Sequence, residues 1–132
     1  MTRLDLQNGV FGTRMKDVAG RLGAVVDSLD YEWGTPVVPE DVRAKLETES
    51  YQMVGVVHAE TSTGVRNPIE EIAELVRPSG ALFLLDSVTG LGGIPVELDR
   101  WGLIFFTVAP RNASPARPET VNRCLEALKA SM

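Results

Sequence analysis

The chain has one cysteine, Cys124, and one histidine, His58. Neither a disulfide framework nor a cysteine/histidine zinc cluster can be assembled within one copy. Aromatic residues make up only 6% of the sequence, and 13 lysines and arginines face 18 acids, for a formal net charge of -5. The acids are spread along the chain and no arginine-rich cluster occurs, which argues against nucleic acid or an anionic membrane as partner. No apolar run approaches the length that spans a bilayer, and Met1 to Leu6 lacks the basic-then-apolar layout of a secretory signal. A soluble, cytoplasmic protein is therefore expected. With 132 residues, 44% of them hydrophobic, the chain can bury one modest core.

What is present is an alternation of helical and strand patterns. Phe11, Met15, Val18 and Leu22 recur at helical spacing and run out at Gly23, after which Ala24 to Leu29 reads as a short strand. Pro39 can open a helix through Leu46, because its missing N–H would have no partner in the first turn anyway. Met53 to Ala59 is a continuous apolar run rich in β-branched residues, as expected of a central strand covered on both faces. Asn67-Pro68-Ile69-Glu70 has the form of a helix cap and first turn, predicting a helix that turns Ile72, Leu75 and Val76 inward and ends at Arg77-Pro78-Ser79-Gly80. Ala81 to Leu85 is a second buried strand, and Leu103 to Val108 reads as a further one. Arg111 to Ala116 reads as loop, and Pro118 to Ala130 as a helix with Val121, Cys124, Leu125 and Leu128 on one side. Such alternation predicts an α/β fold in three layers (α-β-α) around a mostly parallel sheet.

Open sheets of this kind bind ligands beyond the carboxyl ends of their strands, so the loops after Ala59 and Leu85 are where a site should lie. The first, His58-Ala59-Glu60-Thr61-Ser62-Thr63-Gly64, reads either as a turn plus helix cap or as a cluster of donors for a phosphate or phenolic oxygen. The second places Asp86 at the end of a buried strand, where it either caps the following loop or meets a cation or several donors. Gly90-Leu91-Gly92-Gly93 lacks the spacing of a dinucleotide-binding loop and runs into Ile94-Pro95 instead of a helix. Ser62 and Ser87 lie outside any Gly-x-Ser-x-Gly elbow, and His58 reads as structural.

Three blocks, Asn8-Gly9-Val10-Phe11-Gly12-Thr13-Arg14-Met15, His58 to Val65, and Leu85-Asp86-Ser87-Val88 with Leu91-Gly92-Gly93-Ile94-Pro95, together resemble the class V, fold type I aminotransferases of the alanine–glyoxylate or serine–pyruvate kind. The resemblance runs from about Leu6 to Gly102. It implies pyridoxal 5'-phosphate as cofactor, and an amino acid such as alanine or serine and a 2-oxo acid such as glyoxylate or pyruvate as substrates. By position it implies that Asp86 pairs with the ring nitrogen, that Phe11 stacks on one ring face with Val88 on the other, and that Ser62 contacts the polar edge.

The resemblance weakens after Trp101-Gly102, where the family continues to the lysine that bonds covalently to the cofactor. Here the sequence runs Leu103-Ile104-Phe105-Phe106-Thr107-Val108, and the lysines, Lys16, Lys45 and Lys129, lie elsewhere. Residues from Arg117 to Leu128 resemble the last helix of the family's small domain. The expected organisation is an incomplete transferase large domain over 1–102, with a divergent strand and a terminal helix over 103–132 packed on it. The resemblance further implies a chain inactive by itself, associating with itself or with a full-length subunit.

Overall fold

The computed structural model describes residues 1–102 and the backbone of residues 105–107. The elements in chain order are β1 (Thr2–Gln7), α1 (Val10–Arg21), β2 (Val25–Asp30), α2 (Pro39–Thr48), β3 (Met53–Val57), β4 (Ala59–Glu60), β5 (Val65–Arg66), α3 (Ile69–Ser79), β6 (Leu82–Asp86), α4 (Leu98–Trp101) and β7 (Phe105–Thr107). The main sheet has the order β2-β1-β3-β6-β7, and every pairing in it is parallel. β3 is the middle strand, as its unbroken apolar run predicts. The small strands β4 and β5 form an antiparallel pair at its exit.

Register decides what each face of the sheet carries. Leu4 pairs with Val54 and Val54 with Phe83, and two residues on Leu6, Val56 and Leu85 form the same row. These side chains and Val42, Ile69, Ile72, Ala73 and Val76 make one buried cluster, with α2 and α3 over it. The opposite face carries Arg3, Asp5 and Gln7 of β1, then Gly55 and Val57 of β3, and Leu84 and Asp86 of β6. α1 covers this second face and contacts β1, β2 and β3. Helices on both sides of a parallel sheet give the three-layer α/β architecture that the alternation in the sequence predicts.

Three features depart from the sequence reading. β1 carries no predicted strand, because its alternation places two charged residues on a face that turns out to be buried. In α1 the stripe Phe11, Val18, Leu22 is exposed, at 39%, 47% and 82%, whereas Gly12 and Ala19 are buried. A Cβ at Gly12 would stand 2.9 Å from the Gln7 Cβ, so α1 lies close to the sheet through small residues. Asn67 is not the cap of α3, which has no side-chain cap bond and begins after Pro68. The Asn67 amide instead donates to the Val57 carbonyl and accepts from the Val37 N–H and from Asn8 Nδ2, which ties three connections together. The strand expected at Leu103 to Val108 contains β7; the loop from Arg111, the helix from Pro118 and Cys124 lie outside the described residues.

Candidate functional site

All strands of the main sheet run in one direction, so the ends of β1, β3 and β6 open on the same edge. Three connections meet there: the turn Asn8–Gly9 into α1, the loop 58–68, and the loop that follows Asp86.

The first contact between them closes on Glu60. Its side chain is fully buried. One carboxylate oxygen accepts the Phe11 N–H at 3.2 Å and the Ser62 hydroxyl at 2.8 Å, and the other accepts the Gly12 N–H at 3.1 Å. Ser62 Oγ in turn accepts the Val10 N–H at 3.0 Å. A helix leaves its first N–H groups without partners, and Gly9 at the cap position of α1 offers no side chain to meet them. Glu60 and Ser62 supply the cap from a loop fifty residues away. Gly9 is required by this arrangement, since a Cβ there would lie 2.3 Å from Glu60 Cγ and 2.6 Å from Ser62 Oγ.

The second contact centres on Asp86. The residue is half-buried at the end of β6, on the face that α1 covers. Asp86 Oδ1 accepts the Val88 N–H at 3.1 Å, so the carboxylate does cap its own loop. Its second oxygen receives no hydrogen bond from the described residues. Val88 is 45% exposed beside it.

Thr89 bridges the two halves. Its hydroxyl donates to the Ala59 carbonyl at 2.6 Å and accepts from Thr61 Oγ1 at 3.4 Å. Behind it His58 is buried, with Nδ1 3.0 Å from Ser87 Oγ and its ring edge-on to Trp101 at a centroid distance of 5.6 Å. Desolvation, helped by the positive charge of Arg66, pushes the imidazole down to about 4, so His58 is neutral near pH 7. The reading of His58 as structural agrees with this burial. A Cβ at Gly90 would lie 2.5 Å from Ser87 Oγ, so the turn after Ser87 is packed tightly against this pair.

Glu60 thus ties Ser62 to the first turn of α1, where Phe11 lies, and Thr89 ties the loop after Asp86 to Ala59 and Thr61 on the same edge of the sheet. Glu60, Gly9 and Thr89 are additions to the sequence reading. Glu60 carried a local signal as an acid just past a buried strand, but nothing near it points to Gly9 and Gly12 as its partners. Among the described residues no group of three or more metal-ligating side chains occurs, and no helix is long and apolar enough to cross a membrane.

The lysines among the described residues are engaged at β2, and Lys16 Nζ also lies 4.0 Å from Asp30 at the carboxyl end of that strand. Lys16 Nζ donates to Ser28 Oγ at 2.8 Å, and Lys45 Nζ donates to Asp27 at 2.8 Å. The Lys45 bond, with a second from the Tyr51 hydroxyl, holds Asp27 down to about 2.

Fold and edge define an open parallel α/β domain with a half-buried acid at the carboxyl end of a strand beside the sheet centre. Comparison with known proteins makes the class specific. The family described as Aminotransferase class-V matches residues 13–113, and the chain belongs to that family, whose members depend on pyridoxal phosphate. The (S)-ureidoglycine–glyoxylate transaminase of Bacillus subtilis is 41% identical over 93 residues, covering 70% of this chain and 22% of that protein. The 2-aminoethylphosphonate–pyruvate transaminase of Syntrophobacter fumaroxidans is 40% identical over 105 residues, covering 78% and 28%. The crystal structure of an alanine–glyoxylate aminotransferase from Nostoc sp. superposes with a TM-score of 0.81 at 37% identity, over 94% of this chain and 35% of that one. The chain therefore spans between about a fifth and a third of the length of these relatives.

Proposed function

We propose that this chain is the ring-holding middle of a pyridoxal-phosphate aminotransferase large domain, one that moves an amino group from a small amino acid such as alanine or serine to a 2-oxo acid such as glyoxylate or pyruvate in the cytoplasm. The observation that carries the reading is Asp86. Its carboxylate is fixed at the end of β6 by the Val88 N–H, and no described residue donates to its second oxygen. An anion so placed binds a ring N–H and keeps its proton in place, as a pyridinium nitrogen requires. Bound there, pyridoxal phosphate supplies an electron-accepting ring and an aldehyde that takes up the amino group.

Exposed Phe11 and Val88 provide apolar surface for the two faces of a flat ring. Ser62 has a defined part. Its proton is directed at Glu60 and one lone pair takes the Val10 N–H, so it can accept one more hydrogen bond but not donate one. A ring hydroxyl that meets Ser62 must therefore bring the proton.

Among the described residues the ring of the cofactor finds partners and its covalent anchor does not. Lys16 and Lys45 are engaged at β2, and Lys129 lies outside the described residues. The chain alone is accordingly a noncovalent holder without turnover. Borohydride reduction in the presence of pyridoxal phosphate, followed by peptide mapping, should label no lysine preferentially, and alanine with glyoxylate should yield no pyruvate above background. Stoichiometric labelling of a single lysine together with turnover would overturn this.

A second reading, a non-catalytic fragment that associates with itself or with a full-length subunit, is favoured by the exposure of Leu22 and Val25, at 82% and 69%, beside the edge strand β2. Sedimentation velocity decides it: a monomer across the accessible concentration range would exclude self-association.

A further inference from the structure

The amino terminus of a helix at least two turns long is a natural anion site, because several N–H groups point outward and the helix dipole adds to them. In α1 that site is already filled. Glu60 and Ser62 take the N–H groups of Val10, Phe11 and Gly12. Glu60 is buried to 0% exposure, and the Gly9 backbone lies so close that not even a methyl group fits between them. Neither space nor a free donor is left for a second anion, and a phosphate arriving there would meet a carboxylate.

This matters because Phe11 belongs to the same turn. A ring stacked on Phe11 could carry its phosphate in either of two directions: towards the N–H groups of Val10 to Gly12, or away from them. Turned over about the axis through its nitrogen, the ring keeps that nitrogen at Asp86 but exchanges its hydroxyl edge for its phosphate edge, so Asp86 alone does not choose between the two. We infer that Glu60 is an orientation-determining residue, an internal anion that denies the α1 amino terminus to the cofactor's phosphate and so leaves the arrangement in which the ring turns its hydroxyl edge to Ser62. The inference rests on the cofactor reading above. The carboxylate does more than cap a helix: it fills the space and takes the donors that a phosphate would need, so a much shorter residue would lose the exclusion.

The test is a titration with inorganic phosphate followed by amide NMR on the wild type, Glu60→Ser and Glu60→Ala. In the wild type the amides of Val10, Phe11 and Gly12 should not respond. In the variants they should move saturably, with phosphate affinity at least about tenfold above the wild type. Unmoved resonances from β3 and β6 report that the fold is intact; if Glu60→Ala fails to fold, Glu60→Ser decides the point. An equal response in the wild type, or none in the folded variants, overturns the inference. The same samples are then titrated with pyridoxal phosphate. In the wild type the loop after Asp86 should respond and the α1 amides should not take up the phosphate, whereas in the variants the α1 amides should. If pyridoxal phosphate moves no wild-type resonance, the cofactor reading falls, and the phosphate titration still decides whether Glu60 keeps anions off α1.

Discussion

The two faces of the sheet solve the problem of burial differently. Under α2 and α3 the contact is hydrocarbon throughout: Leu4, Leu6, Val54, Val56, Phe83 and Leu85 against Ile72, Ala73 and Val76. Under α1 the same strands present Arg3 and Asp5, buried to 7% and 1% exposure and joined at 2.7 Å. This pair is imperfect, since Arg3 Nη2 and Asp5 Oδ2 are buried without a hydrogen-bond partner among the described residues. Burial raises the Asp5 carboxyl above its usual range in spite of the arginine beside it. Gly55 completes the arrangement, because a Cβ there would stand 2.5 Å from Asp5 Oδ1 and 2.6 Å from Arg3 Nη2. One face is held by apolar area, the other by a charge pair that exists only because a glycine makes room for it.

Removing one partner should therefore be far worse than removing both. Asp5→Ala leaves a buried guanidinium uncompensated and should lower unfolding stability by about 3–5 kcal/mol in urea melts, whereas the double replacement Arg3→Met with Asp5→Leu should come back close to the wild type. Equal losses for the single and double variants would show that the pair, not its desolvation, dominates this face.

The faces should also respond to acid in opposite senses. His58 packs on Trp101 of the hydrocarbon cluster, and its value of about 4 lies below the 6.5 of an unfolded histidine. A histidine that resists protonation when folded contributes stability that is complete above about pH 6.5 and is lost as pH falls towards 4, amounting to about 3 kcal/mol. Asp5, held high, works the other way: the cost of its buried charge is relieved as it protonates. A His58→Asn variant should flatten the fall in stability across that window, and a wild-type profile already flat there would contradict the burial argument. Smaller still is the cap across the edge: Ser62→Ala should cost about 1 kcal/mol and speed exchange of the Val10 amide while leaving β3 unchanged.

How much was legible follows the same division. The hydrocarbon face could be read from the apolar runs at Met53 and Ala81 and from the helical spacing of Ile72 and Val76, because each residue's partner is simply more hydrocarbon. The α1 face could not. Arg3 and Asp5 are read as surface charges unless Gly55 is known to lie beside them, and Phe11, Val18 and Leu22 form a stripe that suggests burial although the helix rests on Gly12 and Ala19. At the candidate site Asp86 was visible as an acid ending an apolar run, and it is the last residue of β6, as that run predicts. Glu60 was visible only as a residue of its loop, since its partners lie across the fold.

The most direct test of the central claim is the dissociation constant of pyridoxal phosphate measured by equilibrium dialysis for the wild type and Asp86→Ala at neutral pH, with circular dichroism to verify that both are folded. Saturable binding by the wild type, weakened at least about tenfold in the variant, is the predicted result, because a lost charge-assisted hydrogen bond is worth at least that much. Equal binding by the two proteins, or none by the wild type, would contradict the assignment of this sheet edge as a cofactor cradle.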